Sequence, residues 1–162
     1  MISLNLQPLY GGALEMLLPS VLTDASAFRQ VPDHQEVFVS AHPHEWSDVS
    51  VIVELNQPFQ GPEQDMADHV ISDLTAGTYV LERSEWGEGC LLVEARTQVM
   101  KFDRPPLVDL TLLVGVRRVP EHGVDVQLVV NVPQGGGDLA VVREVFHAMF
   151  QSLKINDPSI FT

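Results

Sequence analysis

Apolar and polar residues alternate most regularly toward the C-terminal end, where Val124, Val126, Leu128, Val130 and Val132 are interleaved with Asp125, Gln127, Val129 and Asn131. A period of two is that of a strand with one more apolar face. Leu107 to Arg117 reads as the strand before it, and Pro120-Glu121-His122-Gly123 between them predicts a hairpin turn. Further strands are expected near Tyr79 to Glu85 and Leu91 to Met100. The β-branched runs Glu36 to Ser40 and Val51 to Leu55 read as neighbouring strands. Leu9-Tyr10-Gly11-Gly12 is a turn opening a strand that Pro19 closes, because proline has no N–H to give to a ladder.

The apolar spacing changes to threes and fours in two places. Leu139, Val142, Phe146, Met149 and Leu153 form one buried stripe of a final helix that Asp138 can cap. Met66, Val70, Ile71 and Leu74 form the apolar face of another, which starts after Gly61-Pro62 with acids in its first turn and is stopped by Gly77. Consecutive strands with short links and intervening helices predict an α/β (α+β) chain, a mostly antiparallel sheet flanked by helices. A length of 162 residues fits one domain, expected to span 1–162, and 45% hydrophobic residues is the composition of a folded chain.

Charge adds a constraint on partners. The net charge is −13, and residues 1–82 hold twelve acidic groups against the single basic Arg29, while residues 83–162 hold ten against eight. Phosphate backbones and anionic membranes select clustered Lys and Arg, so nucleic acid and membrane are excluded as partners, whereas a basic protein surface would be attracted. No stretch approaches the ~20 apolar residues of a membrane span, and the N-terminus lacks a signal or transit pattern. Cys90 is the one cysteine, which rules out an internal disulfide and fits a reducing compartment.

Candidate chemistry is sparse. His42-x-His44-Glu45 is the tightest group of potential ligands, but it lies in a polar loop, lacks the helical spacing of a zinc protease and has no third ligand nearby. A metal-binding protein or an enzyme using this histidine-rich loop is therefore the alternative reading, and no metal, cofactor or catalytic residue is assigned. Gly135-Gly136-Gly137 is not followed by the lysine of a nucleotide loop, and Gly87-Glu88-Gly89 lies between two strands rather than before a helix. Cys90, at a strand start, reads as a small buried hydrophobe.

The densest polar stretch is Asp24 to Glu36, between two strands. Asp24 can cap a short helical turn running to Arg29, and Val31-Pro32-Asp33 forces the chain round before the strand at Glu36. Asp33 and Glu36 flank that turn as exposed interaction residues, with Arg29 as their one evident partner.

These residues resemble the Mog1 family. The resemblance rests on Leu9-Tyr10-Gly11-Gly12-Ala13, Leu18-Pro19, Asp24-Ala25-Ser26, Arg29-x-Val31-Pro32-Asp33-x-Gln35-Glu36-Val37, Ile52-Val53-Glu54-Leu55, Asn131-x-Pro133 and Asp157-Pro158-Ser159-Ile160-Phe161, spread in order over nearly the whole chain. It implies a Mog1/PsbP-like fold and a non-enzymatic protein that binds the GTPase Ran, promotes release of its guanine nucleotide and supports nuclear protein import. It places the GTPase-binding residues at Asp33 and Glu36, with Asp24 and Arg29 as neighbours. A monomer in nucleus and cytoplasm is expected.

Overall fold

The computed structural model describes residues 2–40, 46, 48–101 and 104–161. In chain order the strands are β1 (Leu4–Leu9), β2 (Leu14–Pro19), β3 (Leu22–Asp24), β4 (Gln35–Ser40) and β5 (Ser50–Asn56). After helix α1 (Glu63–Thr75) come β6 (Val80–Gly87), β7 (Cys90–Lys101), β8 (Arg104–Val119) and β9 (Val124–Pro133), then helix α2 (Leu139–Ser152) and the short β10 (Lys154–Ile155). Seven strands form one antiparallel sheet in the order β3-β4-β5-β9-β8-β7-β6, and β1-β2-β10 form a second.

The predicted hairpin is present, with β8 and β9 in register from Leu110↔Pro133 to Val119↔Val124 and Gly123 in the left-handed region at the turn. β9 then receives β5 on its other edge, Val53 opposite Leu128, which makes it an interior strand. Both of its faces are covered as well, by a helix on each side, and Asp125 and Gln127 are buried along with the valines. An alternating pattern predicts one solvated face; here a helix removes it.

That helix is α1. Its Met66, Ala67, Val70 and Ile71 pack on Leu91, Val93, Ala95, Leu112, Val114, Val116 and Val129. Leu74, assigned to the same apolar face by spacing, is 36% exposed, because the final turn runs past the sheet contact. The helix ends at Ala76 in the left-handed conformation, one residue before the Gly77 expected to stop it.

On the opposite face α2 inserts Val142, Phe146, Met149 and Phe150 among Leu14, Met16, Val126, Leu128 and Val130, so the small sheet and the large one share this core. Asp138 caps α2 by accepting from the Ala140 N–H at 2.9 Å, as its position predicted. Gly115 lies beneath the Phe150 ring; a Cβ there would stand 2.6 Å from Cδ1. Cys90 is half-buried at the edge of this core rather than enclosed by it. The strands β1, β3 and β10 escape the sequence pattern, being short or mixed in polarity.

Candidate functional site

The acidic stretch folds by local hydrogen bonds before any long-range contact is needed. Asp24 Oδ1 accepts from the Ser26 N–H at 2.9 Å and from Ser26 Oγ at 2.8 Å, opening a single 3-10 turn over Ala25–Ala27. The Arg29 N–H returns to Ala25 O at 3.0 Å. Pro32 fixes the next bend, which the Gln35 N–H closes on Pro32 O at 3.0 Å, and β4 begins there. Asp33 is left exposed at the tip of the bend.

Glu36 does not match the expectation of an exposed carboxylate. It is half-buried, and its Oε1 accepts from the Tyr10 N–H at 2.7 Å. Arg29, exposed on the preceding turn, makes no ion pair with Asp33 or Glu36 among the described residues. The anticipated Arg29 partnership is replaced by a backbone donor 26 positions away.

Tyr10 is the residue that sequence reasoning missed. It sits in the left-handed region at φ 52°, followed by Gly11 and Gly12, also at positive φ. This turn aims its N–H at Glu36 and its hydroxyl between His34 O at 2.9 Å and Val53 O at 3.0 Å. Burial, and then the charges of Glu36 and Glu54, push the phenol well above its ordinary range. His34 lies beside Glu54, Nε2 to Oε1 3.3 Å, and its carbonyl also accepts from the Leu55 N–H at 2.9 Å. One corner of the large sheet thus gathers Asp33, His34, Glu36, Glu54 and Tyr10. Asp24 stands apart from this corner, at the end of β3 opposite Phe38 of β4. The Tyr-Gly-Gly turn was the available signal for Tyr10, since glycines after an aromatic residue permit such a reversal.

No group of three or more His, Cys, Asp or Glu side chains among the described residues is arranged to hold a metal ion. The His42-x-His44-Glu45 cluster lies outside the described residues. Among the described residues no helix is long and apolar enough to cross a membrane.

A broad antiparallel sheet with a helix on each face and a second small sheet sharing one core define an α+β fold, with an acidic turn at one corner. A family model described as "Ran-interacting Mog1 protein" matches residues 7–133, and the chain belongs to that Mog1 family. It is 25% identical to a Ran guanine nucleotide release factor from Danio rerio, over 96% of this chain and 98% of that protein. It is 30% identical to the Bos taurus protein of the same name, over 95% of each. The nuclear import protein MOG1 of Saccharomyces cerevisiae is 30% identical over 77% of this chain and 64% of its own length. The crystal structure of the Saccharomyces cerevisiae Ran-binding protein Mog1p superimposes over the full length of both chains with a TM-score of 0.83 at 21% identity, the same fold.

Proposed function

We propose that this chain binds the GTPase Ran through the corner carrying Asp33 and Glu36, promotes release of the bound guanine nucleotide and thereby supports nuclear protein import. The observation that carries this reading is that proteins named Ran guanine nucleotide release factor align with it nearly end to end. The geometry adds support. Asp33 is presented on a bend whose two ends are fixed by Pro32 and by the Tyr10–Glu36 bond, so little side-chain and loop entropy is lost when a partner docks. Asp24 supports the turn through its cap, and Arg29 is an exposed neighbour at the rim.

Nucleotide release needs no catalytic residue. A protein that binds the GTPase more tightly when its nucleotide site is loosened or empty lowers nucleotide affinity, and linkage requires nucleotide to weaken the complex by the same factor. The chain acts in this reading as one unit, as a monomer, in nucleus and cytoplasm. Titrating GDP or GTP into a preformed complex with Ran is expected to dissociate it. Undiminished binding at saturating nucleotide would rule out displacement and leave a passive binding module.

A further inference from the structure

The face of the large sheet beneath α1 changes character along its strands. Ile52, Val129 and Val114 form an apolar row across β5, β9 and β8. Two residues on, the row in register is Gln35, Glu54, Gln127 and Val116; beyond it come Asn56, Asp125 and Arg118. These polar rows and the end of α1 enclose a cleft of about 450 Å³, with His69, Asp73 and Leu74 on the helix side.

Gln127 is only 6% exposed, yet its side-chain amide has no hydrogen-bond partner among the described residues. Since among the described residues no polar side-chain atom fully withdrawn from the surface is left unpaired, the Gln127 amide opens into the cleft. The amides of Gln35, Asn56 and Gln57 line the same space, likewise without partners among the described residues. Burying an unmatched amide such as that of Gln127 is unfavourable, and the half-buried Gln35 and Asn56 and the exposed Gln57 converge on it, which points to a polar ligand that completes them.

The charges define that ligand. Asp125 is already satisfied by Arg118 Nε at 3.2 Å and the Phe59 N–H at 2.9 Å. Glu54 and Asp73 have only histidines beside them among the described residues, His34 at 3.3 Å and His69 at 3.4 Å, and so retain capacity for a permanent cation. Phe59, Val70 and Leu74 offer apolar surface for an aliphatic stem. A guanidinium brings five donors in one plane, enough for both carboxylates and the amide oxygens, where an ammonium brings three. We propose that this cleft receives an arginine side chain projecting from the partner protein that docks at the acidic turn, and to that extent the inference rests on the proposed function. Gln35 and Glu36 point to opposite faces of β4, and the His34–Glu54 contact joins the two surfaces at their rim.

Titration of N-acetyl-argininamide into the full chain, followed by NMR of the side-chain amides, is expected to shift the Gln127 and Gln35 signals with a dissociation constant on the order of millimolar, as for one isolated side chain. The lysine analogue is expected to shift them less. Combining Asp73→Asn with Glu54→Gln should weaken argininamide about tenfold, the scale of two partly exposed charges. An unmoved Gln127 signal, or an equal response in the double variant, would overturn the proposal. Affinity for Ran separates the two readings. If the double variant binds Ran like the parent while Asp33→Lys does not, the cleft proposal falls and the acidic turn stands. If Asp33→Lys has no effect and the double variant loses about tenfold, the turn reading falls and the cleft stands.

Discussion

Tyr10 carries two jobs with two ends of one residue: its N–H fixes a carboxylate, and its hydroxyl pins the carbonyls of His34 and Val53. The two acidic candidates should therefore behave differently in stability measurements. Asp33→Lys, at an exposed bend, is expected to leave the melting midpoint within the effect of about 0.5 kcal/mol typical of surface changes. Glu36→Lys leaves a part-buried N–H without its acceptor and is expected to cost about 1–3 kcal/mol in urea unfolding. Equal midpoints for the two variants would mean that the Tyr10–Glu36 bond contributes nothing. Tyr10 also has a signature in alkali. Its phenol titrates above its unfolded value, so its contribution to stability is complete below about pH 10 and is lost as pH rises through the folded value. Tyr10→Phe should lower stability at neutral pH yet flatten the loss above about pH 10, which stability curves at stepped pH would reveal.

The elements divide into those whose side chains announce their neighbours and those that do not. The stripe on α2 and the valine alternation on β9 were legible because periodicity encodes the buried face directly, and both are in the core. Leu128→Ala and Phe146→Ala are each expected to cost about 2–5 kcal/mol, read by chemical denaturation. The second face of β9 was not legible, since nothing near Gln127 in sequence says that α1 will cover it. The same holds for the acidic turn: Asp24 as a cap could be read locally, but the partner of Glu36 could not, because Tyr10 reaches it from the turn between β1 and β2, 26 positions away. Gly115 is a further tertiary requirement hidden in a strand of valines and leucines. Gly115→Ala places a methyl against the Phe150 ring and should cost about 1–3 kcal/mol despite alanine's suitability for ordered backbone, a sign that thermal denaturation can test.

Across the whole molecule charge is distributed by structure as well as by sequence. The arginine-bearing part of the chain uses several of its cations internally: Arg143 grips Glu94 through two bonds of 2.7 Å, and Arg96 holds Glu82 at 2.7 Å. The hydrogen bond from Arg143, aided by the charges of Arg143, Arg83 and Arg96, holds the Glu94 carboxyl below its usual range against the opposing effect of burial. A lowered folded value contributes stability above the unfolded value of about 4 and loses it as pH falls through the folded one. Glu94→Gln is therefore expected to reduce the acid-side slope of stability, measured from about pH 5 downward.

The pairing of β10 with β2 has a consequence in time. The Lys154–Ile155 segment lies against Glu15 and Leu14, the N–H groups of Asn156 and Asp157 both reach Ala13 O, and Ser152 Oγ accepts from the Leu17 N–H. Leu17 and Ser152 are 135 positions apart, so the β1–β2 hairpin, a local contact, is made during synthesis well before the strand that completes its sheet. Long-range closure of this kind slows folding. The nascent hairpin, with Leu14, Met16 and Leu18 still uncovered, is the segment a chaperone would hold until α2 and β10 have been made.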